Sequence, residues 1–184
     1  MSLLFGQALD EIRRCLDQVD AAQFAGAVEA IASARRIALY GVGREGLQIK
    51  GLAMRLYHLG LQAAVVGDMT TPPVGEGDLL VVSAGPGDFS TVSALMGEAR
   101  RAGARTLLVT AEPTGAAARL ADSVLVVPAQ TMARDQGDAA TSVLPMGSLY
   151  EGALYVLFEV LILALRDRLA VTPAAMRANH TNLE

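Results

Sequence analysis

The chain predicts an α/β fold, a three-layer αβα sandwich around a five-stranded parallel sheet. Three observations carry this. Short apolar runs alternate along the chain with segments of helical periodicity. At their centres the runs are continuously apolar rather than alternating with polar residues, the pattern of strands covered on both faces. Two glycine-punctuated loops, Gly41-Val42-Gly43-Arg44-Glu45-Gly46 and Ser83-Ala84-Gly85-Pro86-Gly87-Asp88-Phe89-Ser90-Thr91, each follow such a run and precede a helical pattern.

Taken in order, residues 3 to 34 repeat apolar side chains at helical spacing (Leu9, Ile12, Leu16, Val19, then Phe24, Val28, Ile31) and read as two helices broken near Asp20. Residues 37–40 form a first strand ending at Gly41, and residues 47–59 form a helix stopped by Gly60. Residues 63–66 are a second strand, 70–77 a Pro/Gly loop and 78–82 a third strand. A helix over 91–102 ends at Gly103, and residues 105–110 and 123–127 are the last strands, with a short helix at 116–120 between them. Residues 128–145 lack periodicity, and a loop of that length in a compact domain is usually functional or mobile. A long helix over 146–169 and a tail over 170–184 complete the chain.

At 184 residues one domain accounts for everything: N-terminal helices over 1–34, the αβα core over 35–169, and the tail. Hydrophobic residues make up 52% and aromatic ones only 4%, so Ala, Val and Leu must pack the core. A mean hydropathy of +0.38 points to apolar surface buried between copies, hence a homo-oligomer. The net charge of −4 provides no electrostatic footprint for nucleic acid. The apolar stretch over 152–165, interrupted by Glu159, is too short to cross a membrane and reads as a buried helix. A single cysteine, Cys15, and an N-terminus without a signal-peptide pattern place the expectation in the cytoplasm.

Side by side on a sheet, the two loops would bind an anion. A helix start leaves N–H groups without intrahelical partners and carries about half a positive charge, so phosphate binds there readily. Gly43 and Gly85 allow close backbone approach, Ser83, Ser90 and Thr91 add hydroxyls, and Arg44 adds a cation or is a solvated helix-start residue. Gly41, Gly43 and Gly46 also satisfy the dinucleotide-binding spacing. The acidic residue expected at the end of the second strand is missing, however, since Asp68 falls beyond Gly67. Ser148 and Glu151 have the spacing of a capping box, or form an anion ligand and a general base at the start of the last helix. Asp88 reads as an N-cap, His58 as a packed helix residue, and His180 as part of a tail that is disordered unless it docks.

Several segments resemble a known family: Gly41-Val42-Gly43-Arg44, residues 54–60 (Met-Arg-Leu-Tyr-His-Leu-Gly), Val66-Gly67-Asp68, residues 145–151 (Pro-Met-Gly-Ser-Leu-Tyr-Glu) and the terminal residues 180–184. Together they are similar to 6-phospho-3-hexuloisomerases of the sugar isomerase (SIS) domain superfamily. The resemblance implies a tetramer and isomerisation of phosphosugars without metal or organic cofactor. It places the phosphate on the Ser83–Thr91 loop and Ser148. Glu151 would be the base that forms a cis-enediol, and His180, from a neighbouring subunit, would assist at the oxygens. A module that binds a sugar phosphate without turning it over is the alternative.

The chain departs from the family's pattern in both loops. Glu45 stands where the first loop typically has serine, and the second loop, typically Ser-Gly-Ser-Gly-Glu-Thr, is longer and contains Pro86 and Asp88. Two unit charges about 5 Å apart repel by about 3 kcal/mol at an effective dielectric of 20, about a hundredfold in affinity. Either Glu45 points away from the phosphate or the ligand differs.

Overall fold

The structure, a computed structural model, describes residues 1–183. The closing Glu184 of the tail lies outside the described residues. Strands β1 (Ile37–Gly41), β2 (Ala63–Val65), β3 (Leu79–Ser83), β4 (Arg105–Thr110) and β5 (Ser123–Val126) form one parallel sheet in the order β2-β1-β3-β4-β5. The helices are α1 (Ser2–Leu16), α2 (Ala21–Ala32), α3 (Gly43–His58), α4 (Ser90–Arg101), α5 (Ser148–Arg168) and α6 (Pro173–Ala178).

Successive side chains of a strand point to opposite faces. Ile37, Leu39, Leu79, Val81, Leu107, Val109 and Leu125 pack into the layer built from α2, α3 and α5. Ala38, Leu80, Val82 and Leu108 meet Val92 and Met96 of α4 on the other face. Burying a Leu or Ile side chain stabilises by about 2 kcal/mol, so aliphatic residues suffice here without a large aromatic core. Helix α5 lies against α1, α2 and α3 and buries Leu154, Leu157, Phe158, Leu161 and Ile162.

The strand order reverses direction between β1 and β3, the place where open α/β sheets bind ligands beyond the strands' carboxyl ends. There Gly41 pairs in register with Ser83, so both glycine loops leave the sheet side by side.

Three local expectations change. Helix α3 starts at Gly43, with Glu45 and Gly46 in its first turn. A Cβ at Gly46 would lie 2.6 Å from the Gly41 carbonyl oxygen, so the close seating of α3 on the end of β1 requires that glycine. Helix α4 has Phe89 at its N-cap with no side-chain cap, and Asp88 accepts from Ser93 Oγ instead. Helix α5 is longer than the apolar stretch suggests. Its 21 residues are long and apolar enough to cross a bilayer, but half of the most apolar window is buried against the other helices, as in a core helix.

The tail folds. Thr172 caps α6 by accepting from the Ala175 N–H, and Asn179 Nδ2 donates to the His58 carbonyl at 3.0 Å. The loop over 128–147 carries two 3-10 turns (Met132–Arg134 and Gly137–Ala139) and is tied to α1 by Glu11, which accepts from Ser142 Oγ and Val143 N–H. Cys15 is buried, and burial raises its thiol pKa, which disfavours the thiolate.

Candidate active site

The two glycine loops meet through a carboxylate of the protein itself. The first turn of α3 aims Glu45 at the second loop, where it accepts from Ser83 Oγ at 2.5 Å and from the Gly85 N–H at 3.0 and 3.2 Å. Tyr150 Oη lies 3.2 Å from Ser83 Oγ. Because the Ser83 hydroxyl spends its proton on Glu45, Tyr150 is the donor to Ser83, giving a chain Tyr150 to Ser83 to Glu45. A Cβ at Gly85 would come within 2.8 Å of the Tyr150 ring and 2.9 Å of Glu45 Oε1, so glycine there accommodates these two side chains. Burial is the main cause raising the Glu45 pKa, opposed by Ser83 and Gly85 and assisted by Glu151. The fully buried Tyr150 phenol is raised well above its ordinary value, again by burial first, and stays neutral.

Beside this network, Met146 and Gly147 both take left-handed backbone (φ 53° and 79°) and turn the chain into α5. Gly147 is the N-cap, so Ser148 is already the first helical residue and the capping box does not form. Ser148 Oγ instead accepts from Arg44 at 3.1 Å, the Met146 carbonyl accepts from the same guanidinium, and Arg44 Nε pairs with Glu151 Oε2 at 3.1 Å. Glu151 thus leans across to the first loop, with 15% of its side chain exposed. Burial raises its pKa, and the Arg44 charge partly offsets the rise. A raised carboxylate pKa of this kind is what general-base chemistry calls for.

A cleft of about 510 Å³ opens onto Glu45, Tyr150, Arg44 and Glu151, with Val42, Pro86, Phe89, Met132 and Met146 as apolar wall. Thr131 also lines it, buried, its hydroxyl without a hydrogen-bond partner among the described residues. Of the residues singled out in the sequence, Arg44, Ser83, Gly85, Ser148 and Glu151 come together here, and Gly43 lines the cleft at the exposed start of α3. Ser90 and Thr91 are exposed in the first turn of α4, next to Phe89 but outside the lining. His180 is remote from Glu151 of its own chain. Its ring stacks on His58 (centroids 5.1 Å apart) at the C-terminal end of α3, a helix about 24 Å long whose other end carries Arg44.

Tyr150, Thr131 and the apolar wall were not singled out from sequence. Tyr150 carried a signal in retrospect, since it neighbours Glu151 on the first turn of a helix whose other face is core. Thr131, in an aperiodic loop, carried none. Among the described residues no group of three or more His, Cys, Asp or Glu side chains could hold a metal ion.

An αβα sandwich with a cleft at the β1/β3 crossover, walled by two glycine loops and holding a half-buried carboxylate paired with an arginine, is an arrangement suited to small polar anions and proton transfer. The SIS domain model matches residues 30–155, and the chain belongs to that family. It is 37% identical over 175 residues to the 3-hexulose-6-phosphate isomerase of Mycobacterium gastri, covering 95% of this chain and 87% of that protein. The 3-hexulose-6-phosphate isomerase of Bacillus subtilis is 31% identical over 154 residues, 84% of this chain and 83% of the relative. A solved structure from Methanococcus jannaschii, for which the same molecular function is inferred, superposes with a TM-score of 0.84 over 98% of each chain at 24% identity, a likeness of fold.

Proposed function

We propose that the protein is a phosphosugar isomerase that converts 3-hexulose 6-phosphate to fructose 6-phosphate. The observation that carries this reading is the Arg44–Glu151 pair in the cleft beside both glycine loops, in a chain whose relatives bear that activity in their names. Glu151 removes the proton from C2, beside the C3 carbonyl. The electrons form a cis-enediol, and Glu151, whose captured proton exchanges with solvent while it is held there, delivers a proton to C3 as the C2 hydroxyl proton passes to the C3 oxygen and the carbonyl forms at C2. Arg44 and Ser148 orient the carboxylate and the anionic end of the substrate, and no metal or organic cofactor takes part.

His180 assists the transfer between the two oxygens from a neighbouring subunit. What supports this is its distance from Glu151 within the chain and the apolar side chains exposed on the helical layer: Leu47, Met54 and Tyr57 on α3, Tyr155, Val160 and Leu163 on α5, and Leu3, Leu4, Phe5 and Leu9 on α1. Such surface is larger than a solitary copy presents to water, and we take the assembly to be a homotetramer in the cytoplasm.

Solvent deuterium incorporation into fructose 6-phosphate tests the reaction, since only a working base exchanges the carbon-bound proton. Loss of exchange in Glu151→Gln is expected; unchanged exchange overturns the reading. Mixing Glu151→Gln with His180→Ala chains tests the shared site. Hybrid oligomers regain turnover if one chain's His180 serves another's Glu151, and stay inactive otherwise.

A further inference from the structure

We infer that Glu45 is a specificity-determining residue that closes the Ser83–Gly85 cradle to the substrate's phosphate, so that the phosphate is received at the mouth of the cleft and not within the second glycine loop. The inference rests on the phosphosugar reading above and departs from what the family resemblance places in that loop.

The donors that would meet a phosphate are already engaged. Ser83 Oγ and the Gly85 N–H both point at Glu45, whose two oxygens accept from them as phosphate oxygens would. The space is filled as well: Ser83 is wholly buried, Tyr150 closes over it, and a single added carbon at Gly85 would collide with both Tyr150 and Glu45. The charges agree. The ionisable groups lining the cleft are Glu45, Glu151, Tyr150 and Arg44, and the one cation among them is spent on Glu151, Ser148 and the Met146 carbonyl. A dianion entering the cradle would have to displace one carboxylate and lie beside another, with no second guanidinium to offset either. The serine typical of the family would leave the same donors free and the cradle neutral.

Calorimetric titration of wild type, Glu45→Ser and Glu45→Gln with inorganic phosphate, and then with fructose 6-phosphate, tests this. Glu45→Ser frees the donors and is expected to bind inorganic phosphate at least about tenfold more tightly than wild type. Glu45→Gln removes the charge but still fills the cradle, so it falls between them. Folded variants that bind phosphate no more tightly than wild type overturn the inference, and weaker binding would make Glu45 part of the phosphate contact. If neither variant folds, wild-type crystals grown with fructose 6-phosphate decide: phosphate within hydrogen-bond reach of the Gly85 N–H overturns it, and Glu45 still in the cradle supports it. The two readings fail separately. If Glu45→Ser gains phosphate while fructose 6-phosphate is ignored by every form, the phosphosugar assignment falls and this inference stands. If wild type turns the sugar over and Glu45→Ser gains nothing, the reverse holds.

Discussion

Strand β3 has a buried carboxylate at each end, and the two are treated in opposite ways. Asp78, just before the strand, is 0% exposed and receives the Arg35 guanidinium in a two-pronged contact at 3.0 and 3.1 Å, plus the Gly75 N–H. Arg35 holds its pKa below the ordinary carboxylate value. Glu45, against the other end, is 7% exposed and accepts only from neutral donors, and burial raises its pKa. The same fold satisfies a charge where only structure is at stake. It leaves one without a cationic partner beside the cleft, as expected where stability yields to function at a candidate site.

The sharpest way to break the comparison is at Glu151, the second carboxylate of the functional edge. Glu151→Gln should lower kcat by about a thousandfold with little change in melting temperature, measured by isomerase assay and calorimetry. Next comes the structural edge. Asp78→Ala leaves the Arg35 contact and the 75–78 turn without a partner and should lower Tm by roughly 5–10 °C, while kcat of the folded fraction is retained. Arg44→Ala should reduce kcat/KM by about tenfold. It also removes the charge that lowers the Glu151 pKa, so the acid limb of the pH profile should move to higher pH.

The smallest effect sharpens the contrast most. Glu45 has a raised pKa in the folded state, so its contribution to stability is complete below the unfolded value near 4.5 and is lost as pH rises through the folded value. Asp78 has a lowered pKa, so its contribution is present above the unfolded value near 3.8 and is lost as pH falls through the folded one. Between neutrality and the ordinary carboxylate range, Tm of the wild type should therefore rise as pH falls. Glu45→Gln should flatten that rise, leaving the part due to Glu151, and the acid-side loss from Asp78 should persist.

The sheet was legible because the middles of β1, β3 and β4 are covered on both faces and so are apolar without alternation, as in Leu107-Leu108-Val109, and because Gly60 and Gly103 end their helices with left-handed backbone. Helix α6 was not, since its six residues bury nothing fully and its start depends on Thr172. Within the site, the residue types of Arg44, Ser83 and Glu151 announced themselves, while their partners did not. Ser148 and Glu151 spell a capping box that fails because Gly147 takes the cap and a guanidinium 104 positions away in the chain captures the serine. The direction of Glu45 was undecidable from sequence because it follows from where α3 begins. A start at Leu47 leaves it in a loop, whereas a start at Gly43 turns it inward.

The pairing of Gly41 with Ser83 carries a further consequence for how the polypeptide assembles. If β1 slid by one position along β3 during folding, Glu45 would be carried past Ser83 and Gly85 and buried with no donor, a mistake far costlier than a misplaced aliphatic side chain. The acid that shapes the cleft therefore also favours the native alignment of β1 on β3 over one shifted by a residue.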